Sequence, residues 1–134
     1  GLSGFIGGFD AVLLNGIAGN VSADGVPEYA FMAFQMMFAC ITPALITGAI
    51  AERVEFKAWM FFMALWSLVV YVPVAHWVWH ADGWIFKDGG LDFAGGLVVH
   101  ITAGVAGLVA ALMYGRRINA DEVSRPNDVS MIML

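Results

Sequence analysis

The sequence predicts an all-α fold, a polytopic bundle of transmembrane helices. Composition comes first: 60% of the 134 residues are hydrophobic and 13% are charged. Soluble domains carry about 45–50% apolar and about 25% charged residues, so an excess of this kind needs an apolar solvent. Second, three uncharged runs each reach the roughly 20 residues that a helix needs to cross a bilayer. Third, the basic residues alternate between the connecting segments as three crossings require.

Residues 1–28 are expected to form an outer loop. Seven of the first 27 residues are glycine, and a short helical or membrane-touching turn is expected around FDAVLL. Helix A is expected over 29–51. Phe31, Phe34, Phe38, Ile41 and Leu45 recur at spacings of three and four, which places Phe34 and Phe38 one turn apart on one face. On spacing alone this stripe reads as a packing or lipid-facing surface. Gln35 and Thr42 should face protein, because polar side chains in a span seek partners. Pro43 should bend the helix and free a carbonyl. Cys40 lies within this run, and a lone thiol makes no disulfide framework; it reads as a small packing residue.

Helix B is expected over 58–79. Its Trp and Tyr residues near the ends suit an interfacial belt, Pro73 suggests a bend, and His76 and His80 read as wet rim residues. Helix C is expected over 92–115. Asp92 stands where a helix N-cap would accept orphan backbone N–H groups. His100 stands on a face of small residues: Gly96, Ala103, Gly104, Gly107 and Ala111. Such a face lets helices approach closely and is expected to be buried in protein. A histidine inside a span is a functional hypothesis by default, weighed evenly against a plain interhelical hydrogen bond. Residues 116–134 read as a polar loop leading to the start of a further helix. Gly1 in place of Met, and an apolar MIML at the other end, predict a segment of a longer chain.

Orientation follows from charge. Arg53 and Lys57 lie between helices A and B, and Arg116, Arg117 and Arg125 follow helix C, whereas Lys87 is the one base on the other side. The positive-inside rule makes the A–B loop and the post-C segment cytoplasmic. The opposite side holds Asp10, Asp24, Glu28, Asp82, Asp88 and Asp92, a face that would modestly concentrate cations. At about 1.5 Å of rise per residue, Phe38 and His100 come to similar depth, with Phe34 above them and Trp79 at the rim.

Three stretches, FQMMFACITPALITGAIAER, PVAHWVW and LDFAGGLVVHITAGVAGLVAAL, resemble the ammonium transporter (Amt, Mep and Rhesus) family. The DFAGG…VVH element, with its His eight residues after the Asp, is the most specific. The resemblance implies an eleven-helix fold whose first ten helices form inverted repeats, of which this chain is similar to helices three to five. It implies a homotrimer in the cell membrane with one pore per subunit, and ammonium or ammonia as substrate. Phe38 then corresponds to an outer Phe gate, Trp79 and Phe34 to aromatic walls of an outer ammonium site, Asp92 to a residue that holds that site's architecture, and His100 to the first of two pore histidines. A cytoplasmic PII-type regulator is a further partner this implies. Neither enzymatic chemistry, a cofactor, a metal nor a nucleic-acid partner is expected. The loop after Trp79 reads HADGW, where family members often have a glycine run. Two other readings differ in kind: an ammonium sensor with the same fold, and a membrane redox subunit holding haem between histidines of adjacent helices.

Overall fold

The computed structural model describes residues 2–22, 24–117 and 120–121. The architecture is helical, and no strand occurs among the described residues. The expected loop before the first span holds two short 3-10 turns, Leu2–Gly4 and Val12–Leu14. The turn within FDAVLL is tight, with Leu13 and Leu14 at positive φ of 55° and 62°.

The first span is α1, Glu28–Ile50. Its 23 residues rise about 35 Å, enough for the roughly 30 Å hydrocarbon core. The helix runs as one element through Pro43, which is buried together with Thr42. The Thr42 hydroxyl donates back to the Phe38 carbonyl at 2.6 Å, the arrangement by which Ser and Thr in spans satisfy themselves on their own helix. The chain then turns through Glu52 at φ 62°, the left-handed region in which a non-glycine residue is uncommon.

The second span has three parts: α2, Phe56–Trp66, a π-turn, Ser67–Tyr71, and α3, Val72–Trp79. The π-turn ends two residues before Pro73. Proline has no N–H to donate and crowds the preceding turn, and a wider turn is one way a helix accommodates that. His80 is extended and ends the span. A short helix α4, Trp84–Lys87, lies in the following connection.

The third span opens with a π-turn, Gly96–Ile101, and continues as α5, Thr102–Tyr114. Its start lies four residues after Asp92, the residue expected to open it. The reason is Gly95, whose φ of 79° is left-handed and interrupts the helical path before Gly96.

Packing centres on α1 against α5, with the second span alongside. The core gathers Ile46 and Ile50 of α1, Trp59, Trp66, Tyr71 and Val78 of the second span, and Val98 and Ala103 of the third. Gly107 lets α5 approach closely: a Cβ there would lie 3.4 Å from that of Ala49. The small face of the third span is split rather than buried throughout. Ala103 and Gly107 are buried, whereas Gly96, His100 and Gly104 are exposed in this three-helix unit. Val99, Ala103 and Gly107 are buried and form a row at i, i+4, i+8, with Gly107 against Ala49 of α1, and His100 lies beside that row.

At the end that carries the A–B turn, Arg117 donates to the Gly48 carbonyl at 2.8 Å. Gly48 is in the last turn of α1, where carbonyls lack helical partners and a cation meets the negative end of the helix dipole. At the opposite end the first loop is fastened to the second span. His76 Nε2 donates to the Ser3 carbonyl at 2.8 Å and Trp77 Nε1 to the Phe5 carbonyl at 2.8 Å.

Candidate functional site

Four of the five residues singled out in the sequence form one connected group. Phe38 on α1 packs against Phe34 one turn away, with ring centroids 5.1 Å apart and planes at 84°. Phe38 also meets Trp79 at the end of α3, at 5.5 Å and 61°. Both are edge-to-face arrangements of the kind that aromatic quadrupoles favour. On spacing alone the Phe stripe reads as a packing or lipid-facing surface, and the structure divides it. Phe31, Phe34, Ile41 and Leu45 remain exposed in this unit, and Phe38 is half-buried against the core.

Trp79 Nε1 donates to the backbone carbonyl of Asp92 at 2.9 Å. This bond ties the end of the second span to the residues leading into the third. A Cβ on Gly95 would lie 3.7 Å from Trp79 Cζ2, so the indole also rests against the left-handed turn.

Asp92 Oδ2 accepts from the backbone N–H groups of Leu97 at 3.0 Å and Val98 at 2.9 Å. These are orphan donors of the first helical turn. Asp92 therefore does what a capping carboxylate does, from four residues before the helix, reaching over the turn made at Gly95. An anionic acceptor at a helix N-terminus also suits the dipole.

His100 joins the group through its backbone. The Gly95 carbonyl accepts from both Val99 N–H at 2.9 Å and His100 N–H at 3.0 Å. The second of these spans five residues and defines the π-turn that carries the histidine. The imidazole is exposed in the three-helix unit, next in sequence to the buried row of Val99, Ala103 and Gly107. The other two histidines lie apart from it in the sequence and stack on each other, His76 on His80 at 4.6 Å. Among the described residues no group of three or more His, Cys, Asp or Glu side chains is placed to hold a metal ion.

The profile of the Ammonium Transporter Family matches residues 1–134, the whole chain. The chain belongs to the ammonium transporter family. An ammonium transporter of Aquifex aeolicus is 52% identical over 132 residues, covering 98% of this chain and 30% of that protein. One of Bacillus subtilis is 53% identical over 115 residues, covering 84% of this chain and 28% of that protein. The crystal structure of Candida albicans Mep2 superimposes with a TM-score of 0.78 at 39% identity, over 87% of this chain and 26% of that one. The chain thus spans under a third of the length of these ammonium transporters. Together with three helices long and apolar enough to cross a bilayer, the family makes this a membrane protein.

Sequence reasoning missed three features of the chain. The two π-turns carry no signature in hydrophobic period. The docking of Ser3 and Phe5 on His76 and Trp77 joins residues more than 70 positions apart, and nothing local announces it. The short helix α4 is held by an exposed Lys87–Asp82 ion pair at 2.8 Å, a spacing of five that a loop reading passes over.

Proposed function

We propose that the full-length protein moves ammonium across the cell membrane, and that this segment supplies the mouth and the first half of the pore. The observation that carries the reading is the connected group Phe34–Phe38–Trp79–Asp92, which leads directly into the turn that bears His100. The acidic loops face outward and raise the local cation concentration. Phe34, Phe38 and Trp79 offer aromatic surface that attracts a partly dehydrated cation. Asp92 holds the frame and does not touch the substrate.

Carrying an intact ammonium ion through apolar surroundings is costly, because a desolvated charge loses its hydration without a partner. Giving up a proton lowers that barrier. His100, with a second histidine from the part of the parent protein outside this chain, receives or relays the proton, which suits a neutral imidazole that both donates and accepts. Ammonia then passes an apolar constriction. Potassium has no proton to give up and is excluded. The subunit works as one of three, and the basic face, with Arg53, Lys57 and Arg116, is cytoplasmic and open to a PII-type regulator.

The test is flux in proteoliposomes holding the full-length protein, driven by an ammonium gradient. His100→Ala is expected to lower flux at least tenfold, and Phe38→Ala to weaken discrimination against potassium. Unchanged flux in the His100 variant would remove the histidine from the pathway and leave a sensor or structural role.

A further inference from the structure

Thr102 occupies the junction between the π-turn and α5, one turn beyond the Asp92 cap. In a regular α-helix its N–H would bond to the Val98 carbonyl, four residues back. Here it is directed to Leu97, five back, and to Val99. The Val98 carbonyl thereby loses its ordinary backbone partner, and a buried carbonyl without one is costly. The Thr102 hydroxyl donates to that carbonyl, with a longer contact of 3.2 Å to Val99 O. Val98 is fully buried, so water is not an alternative donor.

We propose that Thr102 is a positioning residue for His100. The proposal rests on the reading of His100 as a pore residue. The π-turn holds one more residue than an α-turn, and each residue of a helix turns it by about 100°. The turn therefore sets the angle between His100, which follows the register of α5, and the Asp92 end, which is tied to Trp79 and the aromatic group. Gly95 fixes the upstream side by accepting from both Val99 and His100. Thr102 supports the downstream side by giving the Val98 carbonyl a donor in place of the backbone N–H that this register takes from it. Without the hydroxyl, the buried Val98 carbonyl favours its α-partner, the extra residue is expelled from the turn, and the imidazole is rotated relative to the Asp92 end.

The experiment compares Thr102→Val, Thr102→Ala and Thr102→Ser with wild type and His100→Ala in the full-length protein, measuring ammonium flux per folded protein across a pH series. Thr102→Val keeps the shape and removes the donor. Thr102→Ala removes it without adding apolar bulk and carries the same expectation should the valine variant fail to fold. Both are expected to lose flux tenfold or more with a displaced pH midpoint, and Thr102→Ser to stay within twofold of wild type at the wild-type midpoint. A general loss of packing would lower the yield of folded protein and leave the midpoint in place. Wild-type flux and midpoint in Thr102→Val or Thr102→Ala, beside a defective His100→Ala, overturns the proposal and spares the pore reading. An unaffected His100→Ala overturns both.

Discussion

Asp92 is the residue whose loss should cost the most locally, because its single carboxylate oxygen serves two backbone donors, Leu97 and Val98. Replacing a capping side chain with alanine costs about 0.5–2 kcal/mol, and Asp92→Ala should fall toward the upper end since both orphan groups lose their partner. Asp92→Asn keeps a carbonyl oxygen that accepts and should lose less. Thermal unfolding of the full-length protein in detergent checks the order: wild type highest, Asn next, Ala lowest. Equal melting of wild type and Asp92→Ala would mean the carboxylate is not the cap. The residue's role was readable from an Asp ahead of an apolar run. Its distance from the helix was not, because that depends on the left-handed turn at Gly95, and a glycine followed by another in a span signals close packing as readily as a turn.

The elements themselves were largely visible, since a run of uncharged residues long enough to span a bilayer admits few alternatives to helix. What hydrophobic pattern lacks is any record of the helical bond register. The π-turns before Pro73 and around His100 arise from how a proline is accommodated and how a cap is reached, and both leave the apolar pattern intact. Packing between elements gives a sharper test. Gly107 stands where α5 presses on Ala49 of α1. Gly107→Leu inserts a branched side chain at that contact, and overpacking typically costs about 1–3 kcal/mol. It should lower the melting temperature. Gly104→Leu, at an open position one turn back, should lower it much less. Equal effects would place the α1–α5 contact elsewhere.

The connection carrying α4 has its own pH dependence. Asp82 is held below the usual carboxylate range, first by the Lys87 hydrogen bond and then by the ammonium charge. A carboxylate whose folded pKa is lowered favours the folded loop above its ordinary value, and that contribution is lost as pH falls through the lowered one. The side chains are both more than half exposed, so the effect is small and screened by salt. Amide exchange at Trp84–Lys87, corrected for its intrinsic pH dependence, should lose protection on acidification below the ordinary carboxylate range. Asp82→Asn should abolish that pH dependence. Retention of the same acid response in the variant would assign it to another group.

For the molecule as a whole, the outward surface decides the environment. Phe61, Leu68, Val69, Leu112 and Met113 are each exposed by two-thirds or more in the three-helix unit. That much apolar surface is stable against lipid or against other apolar helices, which suits a membrane protein of this family. Orientation is then a question of charge. Each Lys or Arg close to a span resists translocation, whereas acidic residues contribute little. Arg53 and Lys57 at one end outweigh Lys87 at the other, and Arg116 and Arg117 add to the bias. The A–B turn is therefore expected inside the cell and the B–C connection outside. Cys40 is the one cysteine of these 134 residues, so Cys40→Ser, with any cysteine elsewhere in the full-length protein also replaced by serine, gives a background for single reporters. With a membrane-impermeant maleimide applied to intact cells, Asp88→Cys should label and Glu55→Cys should label only after permeabilisation. The reverse pattern would turn the bundle over, place the aromatic group at the cytoplasmic face, and make the proposed direction of recruitment untenable. Labelling of both sites in intact cells would instead mean that the second span does not cross.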